Sequence, residues 1–306
     1  MKVVVLAGGT GGAKLARGLL DVVPAGGLTV IANTGDDVEI YGAHVSPDPD
    51  LCTFWLADLI DERGWGIDGD TFAVMDGLRA LGVEVWFNLG DRDLALCVER
   101  SRRLAAGERL TVATAALTAA LGVEVAVLPM CDEPVRTRVK AGGRWWPFQD
   151  FMIRHRAQGP VEDVLFDGVE AAAATPEVLR AIADADAVIV GPSNPIISIG
   201  PILAVPGLAD ALRATRAPVV AVSPVVNGGV VKGPSAIFME HAGLALSADG
   251  VATAYAGLLD GLLADEEAPD AGLPVIVTDT MMGDAAARTR VARTTLDFAL
   301  GLGGRA

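Results

Sequence analysis

Short apolar runs alternate with longer helix-like segments along most of the 306-residue chain. The longer segments are rich in Ala and Leu at helical spacing, a pattern typical of strands joined by crossover helices. We therefore predict an α/β fold, a Rossmann-like, doubly wound and mostly parallel sheet, in a single domain over residues 1–306. The runs that predict strands are residues 2–7, 28–32, 83–89, 123–128, 187–190, 219–222 and 275–277.

One stretch departs from this alternation. Polar and apolar residues alternate over residues 135–140 and 145–148, around a glycine pair. This pattern predicts a β-hairpin, in an inserted region at about residues 131–170. The hairpin could cover a ligand, bind a second subunit, or simply pack on the core through Trp145 and Phe148.

The first predicted strand runs into a glycine cluster at the start of a predicted helix. Glycine lacks a Cβ atom, so backbone N–H groups in such a cluster can come close to an anion at a helix N-terminus. A phosphate-bearing ligand is the interpretation that this arrangement favours. The cluster consists of Gly8, Gly9, Thr10, Gly11 and Gly12, followed by Lys14.

This cluster matches neither of the two familiar phosphate loops. A P-loop lysine follows Gly and precedes Ser or Thr, whereas Lys14 stands between Ala13 and Leu15. The dinucleotide fingerprint requires a small residue in place of Lys14 and an acidic residue where the second strand ends in Asn33. A hydride-transfer enzyme is therefore disfavoured, and a tight turn that binds nothing stays as the alternative.

Carboxylates follow the second predicted strand, first at Asp36 and Asp37 and then in the segment Ser46-Pro47-Asp48-Pro49-Asp50. In an extended segment, Asp48 and Asp50 would point to the same side and could bind a hard cation such as Mg²⁺. Alternatively, Asp50 merely caps a helix that begins at Leu51.

Polar residues also follow three later predicted strands. In the first loop Arg92 lies between Asp91 and Asp93, either offered to a phosphate or carbonyl or held in a surface ion cluster. The second loop contains Ser193 and Asn194, which suit a phosphate or the edge of a nucleobase. The third loop, residues 223–229, could simply be a turn.

Charge and cysteine content restrict the partners and the compartment. The formal net charge of −15 argues against nucleic acid and against an anionic membrane as partners. A phosphate ligand would then need local positive charge, for which Lys14, Arg63 and Arg92 are candidates near strand ends. The three cysteines show no C-x-x-C spacing, and no apolar run is long enough for a signal peptide or a membrane span. We therefore expect a cytoplasmic protein.

Taken in chain order, these motifs resemble the 2-phospho-L-lactate transferases, also called phosphoenolpyruvate transferases. The likeness spans nearly the whole chain and is more specific than the glycine cluster alone. The segments that carry it are residues 8–14, 46–50, 65–72, 89–93, 128–130, 148–151 and 191–201.

This resemblance implies an enzyme of deazaflavin coenzyme F(420) biosynthesis that forms homodimers and uses Mg²⁺. Such enzymes move a phospholactyl or phosphoenolpyruvyl group from a guanosine diphospho donor to the ribityl hydroxyl of the deazaflavin Fo, and release GMP. By resemblance, Asp50 and Arg92 contact Fo, and the glycine loop lies on the donor side. The three-carbon acid of the donor, whether lactyl, enolpyruvyl or glyceryl, is left open.

For this reaction, catalysis depends mainly on positioning and charge neutralisation. We expect Asp50 and Asp48 to be the catalytic and metal-binding residues, with Asp50 orienting the acceptor hydroxyl. The donor is expected to contact Asn33, Ser193 and Asn194 together with the glycine cluster and Lys14.

A second family starts with a similar glycine loop: the gluconeogenesis-factor regulators, which bind nucleotide sugars without known catalysis. A regulator of this kind would bind its ligand without turnover. It would not account for the loop at residues 90–93 or for the pair Asp48 and Asp50.

Overall fold

The computed structural model describes residues 1–226, 228–230 and 234–305. The strands of this described part are β1 (Val3–Ala7), β2 (Leu28–Ala32), β3 (Val38–Ile40), β4 (Ala43–Val45), β5 (Ala126–Pro129), β6 (Arg136–Ala141), β7 (Arg144–Pro147), β8 (Asp163–Asp167), β9 (Ala187–Val190), β10 (Val219–Val222), β11 (Val225–Val226), β12 (Gly229–Val230), β13 (Gly261–Ala264) and β14 (Val275–Val277).

The α-helices of the same residues are α1 (Gly9–Leu20), α2 (Pro47–Leu56), α3 (Ala73–Ala80), α4 (Asp91–Ala105), α5 (Leu110–Ala120), α6 (Pro176–Ala183), α7 (Gly200–Ala204), α8 (Leu208–Ala214), α9 (Ser235–His241), α10 (Ala248–Ala254) and α11 (Ala285–Leu302). A π-helical turn at Asp150–Arg154 and a 3₁₀ turn at Val169–Ala171 complete the set.

Seven parallel strands form the central sheet, in the order β14-β13-β10-β9-β1-β2-β5. This confirms the predicted Rossmann-like α/β fold. The chain moves outward from β1 through β2 to β5, and then from β9 in the opposite direction. The order thus reverses between β1 and β9, and the carboxyl ends of such strands border a crevice where α/β proteins bind ligands.

Both faces of the sheet are buried. Val4 and Leu6 of β1 pack in a cluster that includes residues of α6 and α8, while Val3 and Val5 pack in a cluster with α1 and α11. A parallel strand covered on both faces reads as a continuous apolar run. This is why β1, β2, β9 and β10 lie where the sequence predicts them, and the edge strand β14 also lies at its predicted residues.

One predicted strand is wrong. Residues 83–89, all of them described, form no strand but a connection between α3 and α4. Val85, Trp86 and Phe87 pack instead on a small satellite cluster, and the backbone N–H groups of Trp86 and Phe87 donate to Tyr41 Oη at 3.0 and 3.1 Å. The apolar run thus reflects packing on that cluster rather than membership of the sheet.

The sequence interpretation also misses β13 of the sheet and the short hairpin of β3 and β4. The sequence of β13 is Gly-Leu-Leu-Ala, which has no β-branched residue and resembles a helical segment in composition. Its place in the sheet depends on parallel pairing with β10 and β14.

The extended conformation expected for residues 46–50 is also wrong. Helix α2 already begins at Pro47, with Ser46 as its N-cap, because proline is pre-organised for the first helical position. Asp48 and Asp50 therefore lie in the first turn of α2, about 200° apart around its axis. They do not share one side, and Asp50 is not the helix cap.

The inserted region contains the predicted hairpin. Strands β6 and β7 pair antiparallel around Gly142 and Gly143, which have φ angles of 61° and 70°, and β8 pairs with the other edge of β6. Positive φ at both central residues matches the twist that two-residue hairpin turns require. Phe148 and Phe151 are buried with Ile197 and Phe238, so the insertion packs on the body of the protein.

Candidate active site

A cavity of about 760 Å³ lies at the carboxyl ends of the central strands, where the strand order reverses. This volume falls within the range of about 300–1,000 Å³ that is usual for ligand sites. Its walls come from the glycine loop, the start of α2, the loop after β9, the connection between α3 and α4, residues 148–153 of the insertion, and residues 280–283.

The glycine loop packs tightly against the loop that follows β9. The Gly8 N–H donates to Ser193 Oγ at 3.3 Å. A Cβ atom at Gly8 would lie 2.6 Å from Ser198 Cβ, and one at Gly11 would overlap the carbonyl oxygen of Pro192. Glycine is thus required here for loop packing as well as for any approach to a ligand.

The N-terminus of α1 faces the cavity. Gly8, Gly9, Thr10, Gly11 and Lys14 line it, whereas Gly12 lies behind them, where its Cβ would come within 2.8 Å of Ala7 Cβ. The first N–H groups of a helix have no acceptor within it, and the first turn of α1, described in full, has no acidic side chain. This wall therefore presents backbone dipoles that favour an anion.

Asp48 joins α2 to the glycine loop and to the end of β2. Its Oδ1 accepts from the Gly9 N–H at 2.7 Å, and its Oδ2 accepts from Asn33 Nδ2 at 2.9 Å. Burial raises the pKa of Asp48 to about 6, although both hydrogen bonds act in the opposite direction. Asn33 is wholly buried and is not among the residues lining the cavity, so it can affect a ligand only through neighbours that do line it, Asp48 and Asp36.

Asp50 lines the same cavity, and its two carboxylate oxygens differ in their hydrogen-bond partners. Oδ1 accepts from Arg100 Nη2, while Oδ2 is buried and has no partner among the described residues. Burial raises the pKa of Asp50, opposed by the charge of the Arg100 guanidinium and the hydrogen bond from it. A buried oxygen without a partner, in a residue that lines a cavity, calls for an explanation such as a catalytic role or a bound ion.

Two further carboxylates, those of Asp93 and Asp36, also line the cavity. Asp93 lies beside Asp50; burial first, and then the negative charge of Asp50, raises the pKa of Asp93 to about 7. Burial and the neighbouring Asp48 raise the pKa of Asp36, which also lines the cavity. Several acidic groups with raised pKa values in one wall favour a cation or a proton at this place.

Within the described ranges, the potential metal ligands that lie within 4.8 Å of one another are Asp50, Asp93 and the Cys97 thiol. The two carboxylates suit a hard cation such as Mg²⁺. Burial raises the pKa of Cys97, so its thiol stays protonated and is a poor ligand. Asp48 is outside this group, and both of its oxygens already have partners.

The loop after β9 contributes Ser193 and Asn194, both buried and both lining the cavity. Asn194 Oδ1 accepts from the N–H groups of Ile196 and Ile197, at 2.8 and 3.2 Å. Its Nδ2 has no partner in the described part of the chain, and neither has Oγ1 of Thr280, which also lines the cavity. These atoms can bind a polar ligand. In the third predicted loop, Ser223 and Pro224 also line the cavity, and Asn227 lies outside the described residues.

Arg92 lies apart from these groups. Its side chain is exposed, is not among the lining residues, and donates from Nη1 to the backbone oxygen of Asp68 at 3.1 Å. Asp91 accepts from the N–H groups of Ala73 and Val74 at the start of α3. The Asp-Arg-Asp motif is thus no ion cluster, because Asp91 serves α3 and Asp93 lies beside Asp50.

The family model described as 2-phospho-L-lactate transferase CofD matches residues 3–280 of the chain. The chain belongs to this family. It is therefore a transferase of phosphoenolpyruvyl or 2-phospholactyl groups, which argues against a non-catalytic regulator.

Relatives of this CofD-family chain cover almost all of it. A phosphoenolpyruvate transferase of Thermobifida fusca is 41% identical over 320 residues, covering 99% of both chains. The 2-phospho-L-lactate transferase of Methanosarcina mazei is 39% identical over 264 residues, covering 86% of both chains. The crystal structure of a UPF0052-family protein from Bacillus halodurans superposes with a TM-score of 0.64 at 19% identity, covering 97% of this chain and 100% of that one, which supports the fold alone.

Two residues of this transferase site escape sequence reasoning. Thr280 follows an edge strand in a segment with no recognisable motif. Arg100, by contrast, has a signal: it continues the buried stripe of Leu94 and Cys97 at intervals of three residues, where a charge is unexpected. Within the described residues, no helix has the length and apolar character needed to span a bilayer.

Proposed function

We propose that this transferase moves a phosphoenolpyruvyl or 2-phospholactyl group from a guanosine diphospho donor to the ribityl hydroxyl of the deazaflavin Fo, releases GMP, and so serves coenzyme F(420) biosynthesis. One observation carries the proposal. One cavity has both an amide-rich wall suited to a diphosphate and a carboxylate wall with an unpartnered Asp50 oxygen suited to a hydroxyl.

The donor is assigned to the glycine loop. The first-turn amides of α1 favour the diphosphate, and Lys14 lies at the same wall, with its Nζ 5.6 Å from the centre of the Trp55 ring. Ser193 and Asn194 offer polar groups from the adjoining loop. Because Asp48 holds Gly9 and Asn33, we assign Asp48 the task of fixing this wall rather than of contacting the reacting atoms.

The acceptor is assigned to the carboxylate wall. Asp50 Oδ2 accepts the hydrogen bond of the ribityl hydroxyl and orients its oxygen toward the phosphorus that bears the three-carbon acid. A new bond then forms between this oxygen and the phosphorus, while the bond from the phosphorus to the GMP oxygen breaks. The hydroxyl proton passes to Asp50 or to water. In a loose transition state, proton removal lags behind bond cleavage, so orientation is the larger contribution of Asp50.

The residues present fit a magnesium ion, because Asp50 Oδ2 lacks a partner and Asp93 supplies a second hard oxygen near it. Asp50 and Asp93 would hold the ion. Mg²⁺, when bound, would supply neutralisation of the negative charge that develops on the phosphate of the leaving GMP.

Removal of metal tests this assignment. We expect transfer to disappear in excess chelator and to return when Mg²⁺ is added back, because the acidic wall offers the dianionic donor no compensating charge. Transfer that persists in chelator, with the metal content checked by elemental analysis, would contradict it.

Product analysis tests the function itself. The purified protein is incubated with Mg²⁺, Fo and each of the lactyl, enolpyruvyl and glyceryl diphosphoguanosine donors, and the products are identified by mass. We expect one phosphoester of Fo and one equivalent of GMP. The function is wrong if none of the three donors is consumed while the protein binds a UDP-sugar.

The family resemblance also leads us to propose a homodimer in the cytoplasm. Light scattering of the purified protein checks the first point, and a mass equal to one 31.5 kDa chain would contradict it. Cell fractionation checks the second.

A further inference from the structure

Arg100 is a charged side chain in the interior of the protein, with none of its surface exposed. Its Nη2 donates to Asp50 Oδ1, and its Nη1 donates to the backbone oxygen of His44 at 3.1 Å. Nε has no partner among the described residues. A buried cation is expensive unless it is paired, so the position calls for an explanation beyond packing.

The guanidinium connects three elements. It leaves the buried face of α4 and reaches both the first turn of α2, at Asp50, and strand β4, at His44. Its anchor at His44 is itself fixed, because the His44 N–H donates to Ser101 Oγ at 2.7 Å and its Nε2 lies 2.9 Å from Asp37 Oδ2. The guanidinium of Arg100 that contacts Asp50 is thus held in place by His44.

This contact distinguishes the two oxygens of Asp50, a residue that lines the cavity. Arg100 Nη2 binds Oδ1 while Nη1 is held by His44, and the planar guanidinium so fixed restricts the rotation of the carboxylate. Oδ2 is buried and is left without a partner among the described residues. A carboxylate free to rotate would present either oxygen, and misplacement by about 1 Å can lower a rate by about 100-fold.

We propose that Arg100 is a positioning residue, which holds Asp50 Oδ1 so that Oδ2 faces the acceptor hydroxyl. This rests on the proposed function of Asp50. A buried ion pair is weak evidence for a role in stability, since apolar replacements of such pairs are often neutral. The role proposed for Arg100 concerns the rate of the reaction, so it predicts a loss of kcat rather than a loss of stability.

The test replaces Arg100 by Met, which keeps most of the volume without charge, and by Lys, which keeps the charge without the fork. We expect Arg100→Met to lower kcat by about 100-fold, with the Kd for GDP unchanged, and Arg100→Lys to give an intermediate loss. Arg103→Met is the matched control on the same helix, because Arg103 pairs with Glu99 and Glu108 and is not among the cavity-lining residues. It should keep wild-type kcat.

A double-mutant cycle separates positioning from a general structural role. If Arg100 acts through Asp50, adding Arg100→Met to Asp50→Asn should lower kcat by no more than about 2-fold further, because the group being positioned has already been changed. A purely structural role would lower kcat in both backgrounds by the same factor. If circular dichroism shows that Arg100→Met does not fold, Arg100→Lys takes its place in the cycle.

The outcomes distinguish the two claims. Normal transfer by the wild type, together with equal losses in both backgrounds or parallel weakening of GDP binding, overturns the role of Arg100 alone. A wild-type protein that transfers nothing to Fo overturns the proposed function, and the role of Arg100 falls with it.

Discussion

The two walls of the cavity are built by opposite means. The amide wall comes from one contiguous segment, residues 8–14, and is shaped by the absence of side chains at Gly8 and Gly11. The carboxylate wall collects Asp50 from α2, Asp93 from α4 and Asp36 from the turn after β2. The wall that we assign to the donor is thus formed largely by local backbone chemistry, whereas the wall that we assign to the acceptor depends on contacts between distant elements.

The walls also differ in charge. The dipole of α1 favours an anion at the amide wall, where the Asp48 carboxylate already accepts from the Gly9 N–H. The carboxylate wall carries repulsion between like charges, since burial and neighbouring carboxylates raise the pKa of Asp93 to about 7 and also raise the pKa of Asp36. A bound cation relieves this repulsion, so we expect the acceptor wall to depend on metal more than the donor wall does.

The largest effect should follow substitution in the carboxylate wall. Asp50→Asn keeps the shape and an oxygen for Arg100 but removes the charge, and we expect transfer to fall about 100- to 1,000-fold. The protein should still fold, with a loss of about 3–5 kcal/mol, because Arg100 is left as a buried cation without an anion. Steady-state kinetics and urea unfolding measure the two effects. Asp210→Asn, at an exposed position on α8, is the control. Near-normal turnover would leave Asp50 a purely structural residue.

The next largest effect should come from the amide wall and should fall on the other substrate. Gly11→Val would drive a side chain into the Pro192 carbonyl and displace the loop after β9. We expect GDP to bind about 10-fold more weakly or worse, which is about 1.4 kcal/mol, while Fo binding changes little. Calorimetry with each ligand measures both constants.

Gly77→Ala is the control for this variant, because Gly77 is exposed on α3 and a Cβ there would meet nothing within 4 Å. Equal weakening of both ligands in Gly11→Val would mean that the walls are not separate sites.

A smaller effect is expected from Arg92. The resemblance assigns this residue to Fo, yet its guanidinium donates to the Asp68 backbone outside the cavity lining. If it turns to Fo when the acceptor binds, Arg92→Ala should weaken Fo binding by about 1–3 kcal/mol, the usual value for a charged hydrogen bond. Fluorescence titration with Fo measures this, and Arg213→Ala on α8 is an exposed control. Unchanged affinity would remove Arg92 from the acceptor site.

The last prediction concerns stability and pH in the absence of metal, rather than activity or binding. The pKa of Asp93 is raised from 3.8 to about 7, so the folded state binds this proton more tightly than the unfolded state. Its contribution to stability is complete below about pH 4 and is lost as pH rises through 7. Asp93→Asn should therefore flatten the fall in unfolding free energy between pH 5 and pH 8, by up to about 1.4 kcal/mol per unit of pKa shift. Urea unfolding in chelator measures it, and the same slope in wild type and variant would contradict the raised pKa.

Sequence reasoning predicted the sheet where burial on both faces leaves continuous apolar runs, as in β1, β2 and β9. It went wrong at residues 83–89, where a similar run packs on a satellite cluster, and it missed β13, whose composition resembles a helix. Apolar pattern alone reports burial and does not say which surface provides it. The predicted start of α2 at Leu51 is four residues too late, because Pro47 is pre-organised for the first helical position and the helix begins there.

The candidate site shows a similar contrast between what a contiguous motif reveals and what depends on tertiary contacts. The glycine cluster could be predicted as a site because its chemistry is contiguous, and Gly8, Gly9, Thr10, Gly11 and Lys14 do line the cavity. Two pairings could not be predicted from the sequence, that of Asp48 with Gly9 and that of Asp50 with Arg100. The partners are 39 positions apart in the first pair and 50 in the second. Asp93 was seen only as a neighbour of Arg92, since its place beside Asp50 requires α4 to pack near α2.

The most direct test of the two-wall account is a crystal structure of the protein with GDP, Fo and Mg²⁺ bound together. We expect the diphosphate within hydrogen-bonding distance of the first-turn amides of α1, and the terminal ribityl hydroxyl of Fo within 3.2 Å or so of Asp50 Oδ2, the usual reach of such a contact. A deazaflavin bound at the glycine loop, or a diphosphate bound at the carboxylate wall away from α1, would contradict the account.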